Sequence, residues 1–315
     1  MQRFLALVGA TGTGKTAVSL ALAKATPGAE IVCCDSRQLF RGLDAGTGKP
    51  TAAERASVPH HLFDELELGD ASETPSAGWY AQRAAPLLSG LVANGKTPLV
   101  VGGTGLYLKA LYRGLAPIPE IPETIRAEVR TRLVERGAAA LHTELVTLDP
   151  ETAARLAPAD RQRVARAIEV ALGTGRPLSA WLRERPAAPL GGPERWRFVA
   201  LRLPRAALYQ RLDARTRSFF EDGLLAETRA HLARGVSPDA PGLASLGYAQ
   251  AVSHLAGRLS LEDAIVLAQR QTRRYAKRQE TWWRHEGPRA GVVWLSIAPD
   301  EPADHVARRV SQVLE

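Results

Sequence analysis

The octapeptide Gly9-Ala10-Thr11-Gly12-Thr13-Gly14-Lys15-Thr16 constrains this chain more than any other feature. It fits the pattern G-x-x-x-x-G-K-[ST] in full. It also lies between a short apolar run, Phe4 to Val8, and a helix-permissive stretch from Lys15 to Lys24. Such a run reads as a strand buried on both faces of a parallel sheet. Glycines let the backbone wrap a phosphate closely, with successive N–H groups pointing inward. The helix behind the loop presents its positive N-terminus, Lys15 supplies a point charge, and the Thr16 hydroxyl is placed to ligate Mg²⁺. The loop predicts a phosphate or diphosphate ligand. It does not choose ATP over other carriers of those groups.

The rest of the first 115 or so residues repeats the alternation. Ile31 to Cys34 reads as a second buried strand ending at Asp35, Trp79 to Val92 as a helix, and Pro98 to Val101 as a third strand running into Gly102-Gly103-Thr104-Gly105. Strand, crossover helix and strand predict an open parallel sheet whose ligands sit at the carboxyl ends of its strands, where Asp35 and Thr104 both fall. Pro117, Pro119 and Pro122 then break the pattern. From Glu123 to Arg185 the signals are helical, with one helix capped by Asp160 and ending at Gly173-Thr174-Gly175. A second linker holds Pro186, Pro189, Gly191, Gly192 and Pro193, after which Arg197 to Leu201 and Val292 to Leu295 read as strands returning to the sheet. The expected fold class is α/β: a P-loop NTPase-like core with a parallel sheet (1–117 and 196–315, with C-terminal helices) plus an inserted all-helical domain at 118–195.

Composition narrows the function classes. Of 315 residues, 45% are hydrophobic and 23% charged, which excludes a disordered or collagen-like chain. No apolar run approaches the length of a membrane span, and the run before the glycine loop is too short for a signal peptide, so a cytoplasmic protein is expected. The two cysteines, Cys33 and Cys34, are adjacent, which rules out a disulfide framework and a cysteine-based zinc site. The net charge of +8 points to a polyanionic partner. Residues 270–285 carry six Lys/Arg and one acidic residue, a net of +5. At ~100° per residue Arg270, Arg273, Arg274, Lys277, Arg278 and Arg284 fall within an arc of about 140°, with Ile265, Ala268, Tyr275, Ala276 and Trp283 opposite. A one-sided stripe of this kind reads as a contact for an RNA backbone.

Asp35 admits two readings. An apolar strand ending in Asp is what a Mg²⁺-holding Walker-B carboxylate looks like. Its place on the strand straight after the P-loop helix favours a carboxylate facing an acceptor substrate. The stretch that follows bears on the choice. Asp35-Ser36-Arg37-Gln38-Leu39-Phe40-Arg41-Gly42-Leu43-Asp44-Ala45-Gly46-Thr47-Gly48-Lys49-Pro50, taken with the P-loop, resembles the tRNA dimethylallyltransferase (tRNA isopentenyltransferase) family, whose signature reads like D-S-x-Q-x-Y-x-G-x-D-I-G-T-A-K-P. Further matches follow in order: Pro59 to Asp64 to P-H-H-L-x-D, Gly102 to Tyr107 to G-G-T-x-L-Y, and Asp160 to Val170 to D-x-x-R-x-x-R-A-L-E-V. Arg211 and Arg215 with Gly223-Leu224, then Gly247-Tyr248, then Lys277 to Arg284, resemble the later segments R-x-x-x-R…G-L, G-Y and K-R-Q-x-T-W-x-R. Phe40 stands where the family has Tyr, Gly48 where it has Ala, and Ala249 where it usually has Lys or Arg.

The resemblance implies transfer of a dimethylallyl group from its diphosphate to N6 of adenosine 37, beside the tRNA anticodon. It implies diphosphate held by the loop from Gly9 to Thr16, Mg²⁺ on Thr16, and a converging cation, Arg215, at the leaving group. Asp35 is expected to accept the N6 proton, with Lys15 and Thr104 completing the catalytic set. The expected tRNA contacts are Asp35, Ser36, Arg37, Gln38 and Thr104 around a flipped base. Arg126 and Gln162, Arg163, Val164, Ala165 and Arg166 are expected to serve on the insertion. Gly247, Tyr248, Arg273, Arg274, Lys277, Arg278 and Arg284 complete the set. The expected partners are the anticodon stem-loop and dimethylallyl diphosphate, with a monomer as the working unit and no membrane. Two rivals share the P-loop: a small-molecule or nucleoside kinase, and an ATPase that binds RNA without modifying it.

Overall fold

The computed structural model describes residues 3–69, 75–184 and 188–314. Arg185 and Pro186, named above, lie outside them. In chain order the elements are β1 (Phe4–Gly9), α1 (Lys15–Ala25), β2 (Ala29–Cys33), α2 (Ala52–Ser57), β3 (His60–His61), α3 (Ala77–Ala93), β4 (Thr97–Gly102) and α4 (Gly105–Tyr112). The helices α5 (Glu123–Leu148), α6 (Pro150–Arg155), α7 (Arg161–Thr174) and α8 (Leu178–Leu182) come next. After them run β5 (Trp196–Arg202), α9 (Arg205–Phe219), α10 (Leu225–Ala233), α11 (Tyr248–Leu255), α12 (Leu261–Ala290), β6 (Val293–Ser296) and α13 (Ala303–Leu314). The chain divides into two compact units, Met1–Arg113 with Ala188–Glu315, and Gly114–Ala187.

In the larger unit the six strands form one sheet in the order β3-β2-β4-β1-β5-β6, and every pair is parallel. The apolar runs that predicted β1, β2, β4 and β5 are buried nearly throughout, as strands covered on both faces must be. One face packs Leu20 and Leu22 of α1, Leu208 and Leu212 of α9 and Val306 and Val310 of α13 against Leu7, Ile31 and Leu99. An aromatic cluster forms around Phe198, whose ring centroid lies 5.5 Å from Trp196, 5.1 Å from Tyr112 and 6.1 Å from Trp283. Cys33 and Cys34 are fully buried, and that burial raises both thiols far above their ordinary pKa, so they serve as small packing residues. Residues 188–195, expected in the insertion, belong to the sheet-bearing unit. Leu190 is buried there and its N–H donates to Leu111 O at 3.3 Å.

The smaller unit is helical, as the absence of a strand pattern predicts. Val129, Leu141 and Leu145 of α5 pack on Val164, Ala167 and Ile168 of α7. The ends of α7 follow the capping chemistry read from the sequence. Asp160 Oδ1 accepts from Arg163 N at 3.1 Å, and Gly175 closes the helix at φ 67°.

Candidate active site

Register brings three turns together at the carboxyl end of the sheet. Cys33 of β2 pairs with Val101 of β4, and Val8 of β1 pairs with Gly102, so the chain leaves β1, β2 and β4 side by side. Gly9 leaves β1 at φ 138°, and a Cβ there would stand 2.7 Å from Leu201 O. Only glycine turns the chain at that point. Gly14 at φ 85° then opens α1, whose first-turn N–H groups have no helical acceptor. Lys15 lies folded over this loop, its Nζ donating to Gly9 O at 3.0 Å and Ala10 O at 2.8 Å. Desolvation lowers its pKa to about 8, against the charge of Asp35, which raises it, while Arg215 and Arg37 add to the lowering. Four of the expected site residues therefore share one electrostatic neighbourhood.

The turn after β2 places the acceptor-side groups. Asp35 is half-buried, and its Oδ1 accepts from Arg37 N at 3.0 Å. Ser36 N donates to Thr104 Oγ1 at 3.1 Å, tying this turn to the one after β4. Arg215, carried on α9, donates from Nη2 to Thr11 Oγ1 at 2.7 Å, and its Nε is buried without a partner. Burial lowers its pKa to about 10, with Arg37 contributing, so it stays a cation at neutral pH. A guanidinium pointed at the phosphate loop with unused donor capacity suits a polyanion that arrives later.

Some expected site residues face inward instead. Val164 and Ala165 are buried in the helical unit, because consecutive residues on a helix cannot all share one face; Arg161, Gln162, Arg163 and Arg166 are the exposed members. Tyr248 is fully buried, its hydroxyl donating to Glu227 Oε1 at 2.5 Å and accepting from Gly46 N at 2.9 Å. It secures the loop at 44–46 and, expected as a tRNA contact, offers no exposed surface in this arrangement. Gln38 donates to Thr47 O at 3.2 Å and Gly48 O at 3.1 Å, closing the same loop from within. On α12, Arg270, Arg274, Lys277 and Arg278 are exposed, whereas Arg273 pairs with Asp213 at 2.5 Å and Arg284 with Glu280 at 3.0 Å. Arg126 pairs with Glu123 at 2.9 Å within its own helix.

Sequence reasoning placed Tyr275 in the core. The structure puts it in the site. Its ring lies under Arg37 (Cζ 5.2 Å from the centroid) and Arg278 (5.6 Å), with the Thr104 side chain near its hydroxyl. Burial, then the charge of Asp35, pushes its pKa up to about 12. Arg37, Ser36, Arg274 and Arg278 join it around a cavity of about 430 Å³. A lone Tyr among six cations carried no signal of its own; its neighbour across space, Arg37, is remote in sequence.

A phosphate loop, a carboxylate across from it and a cationic wall define an α/β P-loop protein built for group transfer between an anionic donor and a polyanionic acceptor. Comparison with known proteins gives the same class. The family model described as IPP transferase matches residues 38–286, and that described as isopentenyl transferase matches residues 2–70. The tRNA dimethylallyltransferase of Anaeromyxobacter sp. (strain Fw109-5) is 44% identical, over 98% of this chain and 99% of the relative. That of Rhodopseudomonas palustris (strain ATCC BAA-98 / CGA009) is 44% identical over 90% and 86%. The crystal structure of the tRNA isopentenylpyrophosphate transferase from Bacillus halodurans superposes with TM-score 0.69 at 32% identity, covering 100% of this chain and 97% of that one. A eukaryotic dimethylallyltransferase acting on tRNA gives TM-score 0.80 at 25% identity, with 100% and 79% covered. The chain belongs to the IPP transferase family.

Proposed function

We propose that this chain transfers the dimethylallyl group of dimethylallyl diphosphate to N6 of adenosine 37 in the anticodon stem-loop of tRNA. The observation that carries the reading is the meeting of the P-loop, Arg215 on Thr11, and Asp35 at adjoining strand ends. N6 attacks the allylic carbon, the carbon–oxygen bond breaks, diphosphate leaves, and Asp35 takes the N6 proton. Lys15, Arg215 and the loop N–H groups stabilise the negative charge that grows on the leaving group. A target base flipped from its stack reaches Asp35 past Thr104, Ser36 and Arg37. The exposed cations of α12, with Arg161, Arg163 and Arg166 of the helical unit, supply phosphate contacts.

Thr16, half-buried in the first turn of α1, fits one oxygen ligand of Mg²⁺. Among the described residues no group of three His, Cys, Asp or Glu could hold a metal, so Thr16 is the side chain named here that would hold the ion. When bound, the ion neutralises diphosphate charge. The working unit proposed is a monomer. A tRNA substrate supports a cytoplasmic place of work. Among the described residues no helix is long and apolar enough to cross a membrane.

The deciding experiment incubates the protein with tRNA and either dimethylallyl diphosphate or ATP, followed by mass analysis of the nucleosides. A gain of about 68 Da on one adenosine, the mass of the group replacing a proton, is expected with the first donor only. ATP turnover without that gain would restore the kinase or ATPase reading.

Two further outcomes follow. Because diphosphate favours charged Lys15, its binding raises the Lys15 pKa from the value of about 8 in the free protein. Below pH 8 the ammonium is already present and contributes no pH dependence. Above it, binding takes up a proton, and calorimetry is expected to show affinity falling by up to about tenfold per pH unit. Changing exposed Lys277 or Arg274 to Ala is expected to weaken tRNA binding and to lower the slope of log K against log salt by about 1 each. An unchanged slope would place that face away from RNA.

A further inference from the structure

Gln279 is buried on the inner face of α12, opposite the exposed cations, and its side chain spans two turns of the active site. Its Oε1 accepts from Thr11 N at 2.8 Å, and its Nε2 donates to Gly103 O at 3.1 Å. Thr11 is the residue whose hydroxyl accepts from Arg215, and Gly103 precedes Thr104, whose Oγ1 accepts from Ser36 N. One amide thus fixes the diphosphate side and the acceptor side at once. The contact is close enough that a Cβ on Gly103 would lie 2.1 Å from Nε2. An amide alone among uncharged side chains of this length offers one acceptor and one donor in the required places.

We infer that Gln279 is a positioning residue that sets the spacing between the phosphate loop and the Thr104 turn, and joins both to the helix carrying the RNA-facing cations. It touches neither reacting group in this arrangement; it acts through Thr11 and Gly103. The inference rests on the prenyl-transfer reading above. Losing the bridge frees the two turns to drift apart, and a misplacement of about 1 Å costs ~10²-fold in rate.

The test uses full-length protein and two variants. For Gln279→Ala, kcat for prenyl transfer is expected to fall by about 10²-fold. The KM for tRNA should stay within about threefold, since Arg274, Lys277 and Arg278 are untouched. Gln279→Glu keeps the side-chain shape and guards against a folding failure. Its protonated carboxyl imitates the amide, accepting from Thr11 N and donating to Gly103 O, whereas the ionised form turns a second acceptor toward that carbonyl. Its kcat relative to wild type is therefore expected to rise as pH falls, a signature that loss of packing alone does not produce. Calorimetry of dimethylallyl diphosphate binding, expected to weaken about tenfold in Gln279→Ala, judges the bridge without any turnover. Wild-type affinity and wild-type kcat in Gln279→Ala, or a Gln279→Glu pH profile superimposable on wild type, would overturn the inference. Failure of the transfer reading looks different: wild-type protein would bind the donor and modify no adenosine, while the binding comparison still decides the role of Gln279.

Discussion

Replacing Asp35 by Asn is expected to lower kcat for prenyl transfer about 10³-fold, within the range that positioned general bases contribute. In free energy that is about 4 kcal/mol of transition-state stabilisation. The amide isolates the charge from the scaffold. Asp35 Oδ1 accepts from Arg37 N, and the carbonyl oxygen of Asn can keep that bond, so the turn should hold its shape. What disappears is the carboxylate proposed to receive the N6 proton. An Asn NH₂ turned toward the exocyclic amine would oppose donor to donor. Asp35→Ala removes the turn's bond as well and is expected to be at least as slow. In both variants tRNA affinity, measured by filter binding, should stay within about tenfold of wild type, because the proposed phosphate contacts, the exposed cations of α12 and the helical unit, are untouched. Collapse of affinity with survival of turnover on bound tRNA would show that Asp35 holds RNA and does not take its proton.

The parts of this molecule that were legible in the sequence are those governed by local rules. The P-loop, the buried strands and the caps of α7 each depend on a few consecutive residues, and each is found where those residues stand. The outward face of α12 was legible through helical periodicity. Its internal partners were not: Arg273 meets Asp213 across 60 positions, and nothing near either residue announces the pair. Gln279 is the extreme case, reaching Thr11 over 268 positions. Matching a family motif tells which residues matter without telling where they point. Within one contiguous stretch Gln162, Arg163 and Arg166 face solvent while Val164 and Ala165 build a core. Tyr248 matched a motif equally well, and its hydroxyl is committed to Glu227 and Gly46. The motif around Asp35 divides in the same way. Asp35, Ser36 and Arg37 border the site, whereas Gln38, Thr47 and Lys49 fold the loop that backs it, Lys49 donating to Phe40 O and Asp64 at 2.6 Å each.

Arg215→Ala is expected to lower kcat by about 10²- to 10³-fold, the loss seen when one preorganised donor is removed from developing negative charge. Three features argue for so large an effect from a residue some 200 positions beyond the phosphate loop. The guanidinium already donates to Thr11 Oγ1, so it is oriented before any ligand arrives and needs no rearrangement as the bond breaks. It is largely buried, which weakens the screening that would blunt its field in water, and even with burial lowering its pKa to about 10 it stays charged at neutral pH. Its Nε has no partner, leaving donor capacity for a diphosphate oxygen. Because the leaving group bears more charge in the transition state than in the bound donor, the loss should fall on kcat more than on the dissociation constant for dimethylallyl diphosphate. Arg215→Lys should recover only part of the rate, since an ammonium restores the charge but not the planar pair of donors that reaches Thr11 and the ligand together. Single-turnover rates on preformed tRNA complexes, set beside calorimetric affinities for the donor, separate the two quantities. A loss of donor affinity with the single-turnover rate unchanged would mean that Arg215 binds the diphosphate uniformly and contributes nothing particular to its departure.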